Sequence, residues 1–127
     1  MAAVCKRQCE EMAIKLGRKN ELIEAIRELI SSSSFKINRI DEVAGKLNMG
    51  TRTLQRRLNG LNTTFQFVLD ETRSDFARTF LRHTTLTVDQ IAGYIGFSET
   101  SNFRHAFKRW TGLTIKEFRE NQDDITG

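Results

Sequence analysis

At 127 residues the chain holds one domain, or two very small ones packed together, with an apolar share that allows only a thin core. No prolines accompany nine phenylalanines and eight glycines, a composition that argues against a turn-rich sandwich or barrel and suits helices joined by short breaks. A net charge of +4 permits nucleic-acid or acidic partners, while no apolar run is long enough for a membrane span or a signal peptide, and collagen-like, coiled-coil and disordered classes are excluded.

Residues 1–19 are basic and weakly patterned, with Lys6, Arg7, Lys15, Arg18 and Lys19 against Glu10 and Glu11, as in an arm or a linker remnant. Cys5 and Cys9 stand one helical turn apart, a poor spacing for a disulfide. With His83 and His105 remote from them, four zinc ligands are not assembled. Reduced thiols of a cytoplasmic protein, without metal or cofactor, are the expectation.

Asn20 is a plausible N-cap for a helix whose apolar face carries Leu22, Ile23, Ile26, Leu29 and Ile30 and which Ser31–Ser34 would break. A second helix is predicted from Arg39 to Leu47 on Ile40, Val43, Ala44 and Leu47, and a third from Thr51 to Asn59 after the turn Asn48-Met49-Gly50. A longer helix is predicted over 64–83, with Phe65, Val68, Leu69, Thr72, Phe76 and Phe80 along one side, Arg73 and Arg78 among its polar positions, and Thr63 with Gln66 as its capping box. Two more boxes, Thr87 with Gln90 and Thr114 with Glu117, open helices on Val88, Ile91, Ala92 and Ile95 and on Ile115 and Phe118. Between them, Gly96-Phe97-Ser98 makes a turn and Glu99 to Thr111 reads as a helix stopped by Gly112. The expectation is an all-α chain of seven helices: two helix-turn-helix subdomains joined by a long central helix.

The strongest internal signal is a repeat. Ile40-Asp41-Glu42-Val43-Ala44-Gly45 and Val88-Asp89-Gln90-Ile91-Ala92-Gly93 match at an offset of 48 residues, and each is followed by a three-residue turn and another helix. Helix, tight turn, helix, with a small alanine where the helices cross, is the anatomy of a helix-turn-helix. Two copies are too few for a stable solenoid. Charge separates the readings further. Arg52, Arg56 and Arg57 in 51–60, and Arg104, Lys108 and Arg109 in 100–112, carry six positive charges without one acid, so the rest of the chain is slightly acidic. The basic balance therefore lies in the second helix of each hairpin, where a duplex reader needs it. The linker helix would be roughly 30 Å long, close to the roughly 34 Å of one duplex turn, so one chain could place two recognition helices in successive major grooves.

Leu47-Asn48-Met49, then Arg52-Thr53-Leu54-Gln55-Arg56-Arg57-Leu58, then Ile91-Ala92 through Gly96-Phe97-Ser98, Phe103, Ala106-Phe107-Lys108-Arg109, Thr111-Gly112 and Phe118-Arg119 closely resemble the DNA-binding domain of AraC/XylS-type bacterial transcription regulators. The resemblance covers about residues 21–121. It implies a first subdomain over 20–62, a linker helix over 63–84, a second subdomain over 85–122 and a tail over 123–127. By position it implies base contacts from Arg52, Gln55 and Arg56, and from Thr100, Ser101, Asn102 and His105. Thr51, Arg57, Arg104 and Lys108 are expected at phosphates. Phe97, Phe103, Phe107, Trp110, Leu54 and Leu58 fall on apolar stripes and are assigned to the core. Two departures from the family pattern stand out: Gly50 replaces the usual serine, and Ile115 replaces the usual proline, a favoured first-turn residue only.

The function so implied is sequence-specific regulation of transcription, as an activator, at a bipartite duplex site. RNA polymerase is the further partner, and a fused or separate effector-binding or dimerisation domain supplies the signal. The alternative from another class is a helical protein-interaction module whose basic faces meet acidic partners. No nucleophile arrangement, phosphate loop or metal set suggests an enzyme, and no membrane association is expected.

Overall fold

The computed structural model describes residues 21–126, with side chains described as far as Glu120; the basic stretch 1–19, Cys5, Cys9 and the Asn20 cap lie outside the described residues. Those residues form seven α-helices and no strand: α1 over 21–32, α2 Ile40–Lys46, α3 Thr51–Gly60, α4 Phe65–His83, α5 Val88–Tyr94, α6 Thr100–Thr111 and α7 Ile115–Thr126. The apolar stripes expected from periodicity bury as pairs of facing rows. Ile26 and Ile30 of α1, Val43 and Ala44 of α2, and Leu54 and Leu58 of α3 fill the first half. Ile91, Ala92, Ile95, Phe103, Phe107, Ile115 and Phe118 fill the second, and Val68, Leu69, Ala77 and Leu81 of α4 join the same buried cluster. The result is one continuous core running from Ile26 to Phe118 rather than two separate ones.

Several boundaries move from their expected places. Ser31 and Ser32 continue α1, and the chain leaves it only through Ser34 and Phe35, both with left-handed backbones (φ 56° and 63°). The cap of α4 is Thr64, whose Oγ1 accepts from the Phe67 N–H at 3.1 Å, not Thr63. Gln66 turns instead to Asp70. The backbone explains the shift: Thr64 is the extended residue (φ −132°, ψ 162°) just before Phe65, so its hydroxyl and not that of Thr63 reaches the free N–H groups of the first turn. The other two boxes form as expected. The Thr87 Oγ1 accepts from Gln90 N–H (3.1 Å) while Gln90 Oε1 accepts from Thr87 N–H (2.9 Å), and Thr114 and Glu117 exchange the same pair of bonds. Gly112 stops α6 in the left-handed conformation (φ 78°). The helix α7 runs on to Thr126, through the stretch expected to be a tail.

The 48-residue repeat is a repeat of backbone hydrogen bonds. Met49 N–H donates to the Ala44 carbonyl at 3.0 Å, and Phe97 N–H to the Ala92 carbonyl at 2.9 Å. Between them Asn48 (φ 57°) and Gly96 (φ 92°) make the same left-handed step. Beyond the turn the copies diverge. The cap of α3 is Gly50, whereas Ser98 is followed by a further residue, Glu99, which caps α6 instead of beginning it.

Two arginines and one aspartate of α4 fasten it to the two halves. Arg73 Nε donates to the Ile95 carbonyl (3.0 Å), and its guanidinium lies 4.8 Å from the Phe97 ring centroid. Burial lowers the Arg73 pKa, with Asp70 opposing, yet an arginine so placed stays charged at neutral pH. Arg82 covers the Phe118 ring, and Arg78 joins Arg27 of α1 on the Asp75 carboxylate. From α7, Arg119 donates to the Leu86 carbonyl (2.9 Å) across the base of the second hairpin.

Candidate nucleic-acid interface

Each hairpin presents its second helix by burying the opposite side. In α3 the buried residues are Leu54 and Leu58, set against α2; Arg52, Gln55, Arg56 and Arg57 are exposed and Thr51 is half-buried. In α6 the buried residues are Phe103, Ala106 and Phe107, set against α4, α5 and α7; Ser101, Asn102, Arg104, His105 and Lys108 are exposed. At about 100° per residue, four-residue spacing of buried side chains leaves one continuous solvent face on each helix. All six core assignments hold, with Phe97 and Trp110 half-buried against the shared core.

The electrostatics of these faces are simple. Among the described residues, Arg52, Arg56, Arg57, Arg104 and Lys108 make no ion pair, whereas the cations of α1 and α4 that meet Asp75 do. Arg109 makes no ion pair among the described residues either, but it lines, with Asp70, Asp75 and Trp110, a hollow of about 400 Å³. Gln55 borders another hollow, of about 320 Å³, with Ile40, Asn59 and Thr64, which puts it on the flank of α3 nearest the start of α4.

The two sets of candidate residues stay on separate helices, and no described hydrogen bond or ion pair joins one set to the other. Thr100 is the most constrained member. It is half-buried and its hydroxyl donates to Asp89 Oδ1 of α5 at 2.5 Å. Asp89 was not expected in this role; it is the repeat mate of Asp41, which lies instead 3.5 Å from Arg39. A second unexpected participant is Glu99, an exposed acid at the start of α6 whose side chain makes no capping bond.

A family model described as a helix-turn-helix domain matches residues 43–121. The ornithine utilization regulator of Pseudomonas aeruginosa is 35% identical over 117 residues, 92% of this chain and 34% of that protein. The crystal structure of the transcriptional regulator CdpR, from the same organism, is similar at 38% identity and a TM-score of 0.63, over 75% of this chain and 31% of that one. A DNA-binding transcriptional dual regulator from Escherichia coli K-12 shares the fold alone, at 19% identity and a TM-score of 0.76, over 81% of this chain and 93% of that one. The chain spans about a third of the length of the curated relatives it matches. With two hairpins, a shared long helix and a family match over most of its described residues, the chain belongs to the helix-turn-helix transcription regulators of the AraC/XylS type.

Proposed function

We propose that the chain is the DNA-reading part of a transcription regulator, an activator as the family resemblance implies, and that α3 and α6 enter successive major grooves of one duplex. The observation that carries this reading is the pair of exposed, acid-free helix faces on which Arg52, Arg56, Arg57, Arg104 and Lys108 make no ion pair among the described residues, whereas Arg27 and Arg78 meet Asp75 and Arg73 and Arg82 lie over aromatic rings. Unpaired cations on a helix face are what phosphate neutralisation requires, and the release of counterions then supplies affinity. Within each face, Arg52, Gln55 and Arg56, and Ser101, Asn102 and His105, offer the forks and small hydroxyls that match base edges in the major groove. Thr100 reads through its methyl group while its hydroxyl stays on Asp89. Thr51, Arg57 and Lys108 supply the phosphate register, where position alone also puts Arg104. The division into 20–62, 63–84 and 85–122 is a division of labour: each hairpin reads and α4 spaces. RNA polymerase as a partner, and a sensing or dimerising domain elsewhere in the protein, belong to the same proposal.

Selection of bound duplexes from a random library tests it, followed by titration of the selected site against a scrambled one. Two preferred segments about one helical turn apart are expected. Replacing Gln55 and Arg56 by alanine should weaken the selected site far more than random duplex; equal losses on both would remove these residues from base reading. Absence of any discrimination at moderate salt would favour a basic protein-interaction module instead.

A further inference from the structure

The extra residue in the second turn changes which side chains of the two reading helices correspond. Leu54 and Leu58 are the fourth and eighth residues of α3 after its cap Gly50; Phe103 and Phe107 are the fourth and eighth of α6 after its cap Glu99. All four are fully buried, at 0%, 1%, 0% and 0% exposure, so they fix the same rotation of each helix on its hairpin. The reading helices are therefore related by an offset of 49, not the 48 of the preceding helices. In that register Arg56 corresponds to His105, and Gln55 corresponds to Arg104. The counterpart of Arg57 is Ala106, which is buried. Arg104 thus lies two residues, or about 160° by the shorter way round, from the direction that Arg57 takes on α3. It shares the flank of Gln55, it is exposed, and it makes no ion pair among the described residues.

We propose that Arg104 reads a guanine edge in the second groove at the position where Gln55 reads an adenine in the first. This rests on the groove-reading function above and replaces the phosphate role that position alone had suggested for Arg104. A glutamine amide pairs with adenine N6 and N7, and an arginine fork pairs with guanine O6 and N7. The two half-sites are then different in letter at matching places, so the site has a direction and the chain binds it one way round.

The test is binding-site selection with the wild-type chain, Arg104→Gln and Arg104→Lys, with circular dichroism to confirm that these exposed-site variants fold. The wild type should prefer G·C at one position of one half-site by about tenfold or more. Arg104→Gln should turn that preference to A·T and leave the other half-site unchanged. Arg104→Lys should keep the salt dependence and lose most of the preference. The proposal is overturned if Arg104→Gln lowers binding to every duplex alike, with a salt slope smaller by about one and base preferences intact. A wild-type chain with no base preference anywhere overturns the groove-reading itself, and this assignment with it, so the two failures are told apart.

Discussion

Phe35, at the exit of the first helix, lies against Gly96, in the turn of the second hairpin: a Cβ on Gly96 would stand 3.1 Å from the Phe35 Cβ and 3.2 Å from its carbonyl oxygen. Phe35 also meets Phe76 edge to face, so the contact ties the first half, the central helix and the second turn at one point. Gly96→Ala should destabilise the chain by about 1–3 kcal/mol, because the left-handed backbone and the crowding act together. Gly93→Ala, one turn earlier with open space around it, should be neutral or stabilising by up to about 1 kcal/mol. Thermal unfolding followed at the single tryptophan, Trp110, separates the two; equal effects would mean that Phe35 moves aside freely.

Arg73 is a structural arginine. Arg73→Lys retains the charge and removes both the planar cover of Phe97 and the donor placed on the Ile95 carbonyl. A loss of about 1–2 kcal/mol is expected from one hydrogen bond and one partly exposed cation–π contact. Denaturant titration should show it, whereas the salt slope of duplex binding should not change. A reduced slope would place Arg73 at a phosphate.

Glu117 gives the stability a definite acid edge. Its carboxyl is held below the ordinary glutamate range chiefly by the Thr114 backbone N–H, then by the Thr114 side chain, with Lys108 assisting. A folded-state value below the unfolded one means that the contribution is present above the unfolded value of about 4.3 and is lost as pH falls through the lower folded value. The stability difference between wild type and Glu117→Gln should therefore be constant near neutral pH and shrink below about pH 4. A difference that persists unchanged at lower pH would assign the effect to shape and not to charge.

Glu99 is an exposed acid at the start of α6. As a cap without a capping bond it does little for α6, and near phosphates its charge opposes binding. Glu99→Ser should raise stability by roughly 1 kcal/mol through a proper cap and strengthen binding to specific and random duplex alike. Stronger binding to random duplex together with weaker binding to the selected site would show instead that the carboxylate accepts from a base.

What could be read from the sequence was what is local or periodic. The helix faces, the Thr87 and Thr114 boxes and the Gly112 stop each depend on residues within four positions of one another, and all form. Thr63 and Thr64 are alike as caps by residue type, and only the extended backbone of Thr64 with its bond from the Phe67 N–H decides between them. Phe35 carried no signal, since its partners Phe76 and Gly96 are far along the chain. The offset of the reading helices was hidden for a different reason. The repeat is close in residue type only as far as Gly45 and Gly93; after it, leucines on one side are matched by phenylalanines on the other, and only burial identifies them as partners. The faces of α3 and α6 were legible as charge, but the division of Arg57 from Arg104 needed the rotation of each helix.

The unbroken core, stitched across by Arg73, Arg82 and Asp75, makes the molecule a caliper as well as a reader. Its 19-residue central helix, about 29 Å long, buries Val68, Leu69, Ala77 and Leu81 in that core and so sets the spacing of the two hairpins. A duplex offers its half-sites on a helical track of about 10 base pairs per turn, so each inserted pair displaces the second by about 3.4 Å and swings it about 35° around the axis. For a protein with two loosely tethered hairpins such insertions would be absorbed by the tether. On the proposed two-groove reading they fall to the DNA, and spacing becomes a part of the message alongside the letters.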